Sequence, residues 1–311
     1  MTVPLHVGQP ERMPQTRPGG FDTVELWAVL ARACRKAGLE SGGASLIRGQ
    51  TNAVFRLGLH PVLVKIARRG TPVADVRRTV VLVRWLAESG IPVAPLHVLS
   101  EQPVVVEGHA VTFWTYLDQP SDPVPAEALA KPLHVLHHLP HPPLELPLLA
   151  PIAAIRRSIE LADMLPGAVR GELRERAQEL ADRVFGVRYA FPEAVLHADP
   201  QQGNALHDEG SVVLCDWDSA RRGQPEWDLV TVEVHCRRFG YGEAHYRAFA
   251  EVYGWDVRSW PGYAALRDLR ELRMITTNAR KASFQPDTLP EVLRRIRLLR
   301  TGDTDGAWSI L

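Results

Sequence analysis

Val195-Leu196-His197-Ala198-Asp199-Pro200-Gln201-Gln202-Gly203-Asn204 decides how this chain is read, together with the apolar run Val212–Cys215 that delivers Asp216. The first stretch begins as a short strand and becomes a loop at Pro200 and Gly203. One loop thus carries an aspartate and an asparagine, and the next strand ends on a second aspartate. Asn204 and Asp216 are hard oxygen ligands, few in number, and suit a Mg2+ whose other positions go to water and phosphate. Asp199 is then left to orient or deprotonate an attacking hydroxyl. The plain alternative for all three is a polar loop capped by its own side chains.

Upstream, Lys65 sits inside Val62-Leu63-Val64-Lys65-Ile66. An unpaired ammonium in an apolar strand is costly, and a phosphate partner removes that cost. The alternative is an edge-strand lysine that snorkels to solvent. Only Lys36, Lys65, Lys131 and Lys281 are lysines, so one in a strand is unusual here.

Around these residues the chain divides in two. Residues 1–20, polar and rich in proline, read as a flexible tail without a signal-peptide core. A helical stripe follows at Trp27, Leu30, Ala31 and Cys34. Short strands are expected at 44–47, 54–59 and 62–66, the last two joined as a hairpin at His60-Pro61. Thr71-Pro72 opens a helix to Glu88 as N-cap and first-turn proline. Two further apolar runs, 104–106 and 110–116, flank Glu107-Gly108. Residues 118–125 read as a linker. Beyond it the pattern is mainly helical, with stripes at Leu173, Ala177, Leu180, Ala181 and Val184 and at Leu266, Leu269, Leu272 and Ile275. The expected fold is α+β: a β-rich lobe over 21–117 and a larger helical lobe over 118–311.

The 311 residues are 45% hydrophobic and 23% charged, with 36 basic against 36 acidic side chains. That balance argues against a bulk electrostatic grip on nucleic acid or anionic lipid. No apolar run approaches the ~20 residues of a membrane helix. Cys34, Cys215 and Cys236 are too few and scattered for a disulfide framework or a cysteine-rich zinc site. A cytoplasmic protein is the default expectation.

The order His197-x-Asp199-x-x-x-x-Asn204, then Asp216, then Gly223-x-Pro225-x-x-Asp228, resembles the aminoglycoside phosphotransferase family. The resemblance spans roughly residues 23–300 and includes Lys65, the strands between Leu96 and Tyr116, and the helix at 133–137. It implies a two-lobed protein-kinase-like fold binding Mg·ATP between the lobes, with phosphoryl transfer to a small-molecule hydroxyl. Carried over by position, Lys65 contacts the α/β-phosphates, Asp199 is the catalytic aspartate, and Asn204 and Asp216 hold Mg2+. The loop of Gly49, Gln50, Thr51 and Asn52 covers the phosphates. The segment from Phe113 through Trp114 and Tyr116 to Leu117 meets adenine through its backbone. No Asp-Phe-Gly or Ala-Pro-Glu segment is present, which disfavours a protein kinase.

Three positions depart from the family pattern. The helix glutamate that normally pairs with the strand lysine falls at Thr79, and the nearest acid one turn earlier is Asp75. Gln224 and Ala198 replace an aspartate and a glycine. The Thr79 departure keeps a nucleotide-binding pseudokinase module as the alternative. In the acceptor region, Asp218, Glu226, Glu233, Glu243 and Glu271 are interleaved with Arg237, Arg238, Arg270 and Arg273. Of these, Asp218, Glu233 and Glu271 are the acceptor-binding candidates. The mixture leaves open an aminoglycoside, another antibiotic, a nucleoside, a sugar or an amino alcohol. The remaining charged positions carry plainer expectations. Asp228 should brace the catalytic loop, and His134, His137, His138 and His141 should pack rather than bind metal. Arg221, Arg222, Arg237 and Arg238 should form a solvated face, and the run from Arg294 to Arg300 a surface helix.

Overall fold

Val62, Val64 and Ile66 are buried while Leu63 and Lys65 between them are not, the period-2 alternation of a strand with one face on a core. The computed structural model describes residues 23–49 and 52–311. The proposed tail, Gln50 and Thr51 lie outside the described residues.

The first helix, α1 (Thr23–Lys36), buries Leu26, Val29, Leu30 and Ala33. This stripe is rotated from the expected one: Trp27 lies half in solvent, edge-on to Phe55 at 4.9 Å. Then come β1 (Ser45–Gly49), β2 (Ala53–Arg56) and β3 (Val62–Ile66), with β2 and β3 paired antiparallel from Ala53↔Ile66 to Arg56↔Leu63. Helix α2 (Val73–Glu88) starts one residue after Pro72, whose ψ of 128° is extended, so Thr71 is not its cap. Strands β4 (Val104–Val106) and β5 (His109–Thr115) form a hairpin across Glu107-Gly108, whose φ values of 49° and 81° are the two positive angles of a type I′ turn. The antiparallel sheet runs β1-β2-β3-β5-β4, with Lys65 on its central strand opposite Val54 and Thr112. One face closes on α1 and the other carries Lys65.

The segment 118–125 is irregular but tied down by buried Val124. After it come α3 (Ala130–His137), α4 (Pro151–Glu160), α5 (Gly167–Phe185), β6 (Ala194–Leu196), β7 (Ala205–Asp208), β8 (Ser211–Leu214) and β9 (Arg221–Gly223). Four helices complete the chain: α6 (Glu226–Arg238), α7 (Glu243–Tyr253), α8 (Tyr263–Lys281) and α9 (Leu289–Thr301). Strands β6 and β7, adjacent in sequence, do not pair; β6 joins β9 and β7 joins β8. Helix α6 is buried almost end to end, which makes it the axis of the helical part.

The two parts share apolar packing. Leu82, Val83 and Leu86 of α2 and Trp114 of β5 belong to the same core cluster as Leu214, Trp217, Leu229 and Leu272. Backbone bonds from Ala94 to Leu214 and from Leu214 to Pro92, each 2.8 Å, fix the junction. Among the described residues no helix is long and apolar enough to cross a membrane.

Candidate active site

The loop after β6 is shaped before any ligand arrives. Ala198 lies in the left-handed region at φ 66°, where the Cβ is strained and glycine is the easy residue. Fully buried Asp228 holds that turn, accepting from the amides of His197 (2.8 Å) and Ala198 (2.9 Å) and from His137 Nε2 (3.2 Å). Tyr253 Oη donates to His137 Nδ1 (2.9 Å), so the histidine belongs to the scaffold. His134 stacks on His138, and the described residues contain no cluster of metal-binding histidines, cysteines and carboxylates. Trp227 Nε1 donates to the Ala198 carbonyl and His197 Nε2 to that of Cys215, tying the loop to α6 and to the end of β8.

Two carboxylates are then presented in different ways. Asn204 Nδ2 donates to the Asp199 carbonyl (2.9 Å) and to Asp199 Oδ2 (3.3 Å), which fixes the aspartate from below. Asp216 leaves β8 in a left-handed conformation, φ 61° and ψ 51°, so its carboxylate turns back toward the sheet. There Lys65 Nζ lies 2.6 Å from Asp216 Oδ1 and 2.8 Å from Asp218 Oδ2. Asn52 Nδ2 donates to the same Asp218 oxygen at 2.9 Å.

Lys65 therefore has two carboxylate partners, and neither is Asp75. Asp75 pairs with Arg78 one turn along α2, and Thr79 Oγ1 donates to the Asp75 carbonyl. Asp75, the nearest acid to the missing helix glutamate and a possible partner of Lys65, thus does not take that place: the acids after β8 hold the lysine. Burial would lower the Lys65 pKa, but Asp216 and Asp218 outweigh it and hold the amine firmly protonated. Surrounding protein would raise the Asp216 carboxyl, and Lys65 holds it below its ordinary value instead.

Asp199 has a partner that the sequence reading placed only in a mixed charge pattern. Arg270 Nη2 of α8 lies 2.5 Å from Asp199 Oδ1. Displaced water would raise the Asp199 carboxyl; Arg270 brings it below the usual carboxylate range. Burial and Arg270 push His235 itself down to about 4, so it is neutral at physiological pH.

Other expected site residues lie elsewhere. Glu233 and Glu271 are buried and consumed by Arg237 and Arg238; Arg238 Nε and Nη2 reach the two oxygens of Glu271 at 2.9 and 2.7 Å. They are removed from the acceptor wall, and Arg237 and Arg238 from the solvated face, because α6 and α8 bury these charges only as pairs. Glu226 is buried and caps the amides of Ala190 and Phe191, while Glu243 lies at the exposed start of α7 beside Arg258. Arg295 is buried too: it pairs with Glu291 and stacks on Trp308, so α9 is not simply a surface helix. In the expected adenine segment, Trp114 is buried with Nε1 on Thr112, and the Thr115 and Tyr116 amides already donate to Pro95 and Pro61. Tyr116 carries Arg56 on its ring, and the Leu117 carbonyl accepts from Gln119.

A cavity of about 710 Å3 opens between sheet and helices, with Asn52, Asp199, Asp216, Asp218 and Arg270 on its wall. A smaller one of about 310 Å3 lies against α2, lined by Asp75, Thr79, Asp218 and Arg221.

A sheet with a lysine on its central strand, packed on a helical part that offers a loop aspartate, an asparagine and a strand-end aspartate, defines a kinase-like phosphotransferase. Solved structures with the same fold include a choline/ethanolamine kinase family protein from Mesorhizobium loti, 18% identical, with 90% of this chain and 99% of that one covered and a TM-score of 0.59. The choline kinase LicA from Streptococcus pneumoniae is 14% identical, with coverages of 88% and 99% and a TM-score of 0.64. The amicoumacin kinase hAmiN, in complex with AMP-PNP, Ca2+ and Ami, is 12% identical, with coverages of 93% and 96% and a TM-score of 0.64. No curated protein sequence matches the chain. The family model described as "Phosphotransferase enzyme family", APH, matches residues 44–269, and the chain belongs to that family. It is a small-molecule kinase with an alcohol group as acceptor.

Proposed function

We propose that the chain transfers the γ-phosphoryl group of ATP to a hydroxyl of a small molecule bound in the larger cavity. The observation that carries this reading is the convergence of Lys65, Asp216 and Asp218 at one end of the Asp199 cavity. In this reading residues 21–117 bind the nucleotide and 118–311 supply the catalytic loop and the acceptor wall. ATP as donor accords with a cytoplasmic location, and the AMP-PNP and Ca2+ of the amicoumacin kinase complex support a nucleotide with a divalent cation.

The donor set fits Mg2+. Among the described residues, Asn204 Oδ1 and Asp216 Oδ2 have no protein partner, and both are hard oxygens. Asn204 and Asp216 would hold the ion, which when bound neutralises charge on the phosphates. Lys65, held by Asp216 and Asp218, would meet a phosphate of the nucleotide beside that ion site.

Asp199 acts mainly by position. A carboxylate whose pKa is depressed is a weak base at neutral pH, and phosphoryl transfer asks for alignment and charge compensation more than for proton abstraction. The acceptor oxygen bonds to Pγ, the bond from Pγ to the bridging oxygen of ADP breaks, and the hydroxyl proton leaves through Asp199 or solvent.

The test is Mg·ATP-dependent product formation, read by mass spectrometry over alcohols of differing charge. Asp199→Ala should abolish transfer while sparing nucleotide affinity, and Asp216→Ala should weaken Mg·ATP binding. Undiminished turnover in Asp199→Ala would overturn the assignment.

A further inference from the structure

The charges on the larger cavity are unevenly matched. Its three aspartates are engaged already: Asp199 by Arg270, and Asp216 and Asp218 by Lys65. Arg295, also on the wall, is balanced by Glu291. Arg157 of α4, Arg221 of β9 and Arg273, Arg280 and Lys281 of α8 line the same cavity, and among the described residues none of these five forms an ion pair. Arg273 reaches only the hydroxyls of Ser158 and Thr277, and Arg221 the Ala220 carbonyl.

These cations lie in one another's field. Burial, then Arg270 and Arg280, brings Arg273 down to about 10. Burial lowers Arg280 as well, with Arg68 and Arg157 adding to it. Lys281 is lowered by burial and by Arg280 and Arg273, against the opposing pull of Asp199 and Asp216. Like charges gathered in a half-buried cleft raise its potential and draw in anions.

We propose that the acceptor is an anionic alcohol, a small hydroxylated molecule with its own carboxylate or phosphate, held by Arg157, Arg273, Arg280 and Lys281. This rests on the phosphotransferase reading and names its substrate class. Arg273 lies one turn along α8 from Arg270, which holds Asp199, and Asp199, Arg273 and Lys281 line the same cavity, so an oxyanion held by these cations leaves a hydroxyl of the same molecule near Asp199. The nucleotide phosphates have Lys65 and the Asn204–Asp216 ion site at the sheet end, with Arg221, which borders both cavities, beside them. A quaternary amine or a polycationic antibiotic would meet repulsion on the α4–α8 wall.

The experiment measures binding to the full chain saturated with Mg·AMP-PNP, by thermal shift and calorimetry at constant ionic strength set with NaCl. The probes are sulfate, glycerate, gluconate and glycerol 3-phosphate, against neutral glycerol and glucose and cationic choline and kanamycin. Oxyanion probes should bind at submillimolar concentration while neutral and cationic ones do not, and comparing carboxylate with phosphate probes tells which group the wall takes. Arg273→Gln/Lys281→Gln should weaken oxyanion binding at least tenfold, with AMP-PNP affinity within twofold. Oxyanion binding no better than the NaCl control, tighter binding of choline or kanamycin, or an equal loss of AMP-PNP affinity in the variant would each overturn the proposal. The wild-type comparison decides by itself if the variant does not fold. Failure to bind Mg·AMP-PNP at all would instead sink the phosphotransferase reading.

Discussion

Asp228→Asn tests whether a buried carboxylate braces the loop that carries Asp199. Asp228 is fully buried and takes three donors on two oxygens, with His197 N–H and His137 Nε2–H on Oδ2 and Ala198 N–H on Oδ1. An asparagine keeps one oxygen and turns an NH2 toward at least one of these donors. The least damaging orientation keeps the Oδ2 pair and abandons the Ala198 amide. That loses one hydrogen bond to a charged acceptor, about 1.5–3 kcal/mol, and reduces the other two to neutral strength, about 1 kcal/mol each. Relief of the buried charge offsets part of this, so the net loss is roughly 2–4 kcal/mol. With an m value of about 3 kcal/mol/M for urea, the midpoint falls by about 1 M. Because the freed amide belongs to the residue before Asp199, turnover should fall at least tenfold while Mg·ATP affinity stays within twofold. Urea denaturation followed by tryptophan fluorescence, with steady-state kinetics on the same preparations, measures both. A variant within 0.5 M urea of wild type and fully active would refute the bracing argument.

Because Asp75 is spent on Arg78, Asp75→Ala should change transfer less than threefold, whereas Lys65→Ala should reduce it more than a hundredfold. Steady-state rates of the two variants side by side decide between these partners of the site. Arg270 keeps the Asp199 carboxyl low against the rise that burial would cause, so Arg270→Gln should shift the acid limb of the pH–rate profile upward. The same pair stabilises the fold above the ordinary aspartate value of about 3.9 and stops doing so as pH falls through the lower folded-state value. An acid limb that does not move in Arg270→Gln would remove Arg270 from the electrostatics of the site.

Local order in the chain was enough for much of this site. The spacing from His197 to Asn204 keeps Asp199 and Asn204 on one loop because five residues of backbone cannot separate them far, and β8 then places Asp216 just past its own end. Lys65 stood out as a lysine inside an apolar strand, and the turn-like Glu107-Gly108 marked a hairpin, but which face of β3 the lysine takes is fixed by α1 covering the other. The β-rich part and the helical part followed from the change of period near residue 118.

Partnership across the fold was decided only by packing. Lys65 and Asp216 are 151 positions apart, and Arg270 and Asp199 are 71 apart. No local period links such residues; they meet because β8 ends beside the sheet and α8 packs its Arg270 against the loop after β6. The same holds for Glu233, Glu271, Arg237 and Arg238, which read in sequence as a cleft and a charged face. Helix packing turned them inward as ion pairs, since a charge taken from water must find its opposite. The net charge of the composition is zero, yet five cations without an ion pair among the described residues line one cavity. A sum over the chain fixes how many charges exist, and only the tertiary structure decides which of them face each other and which face a ligand.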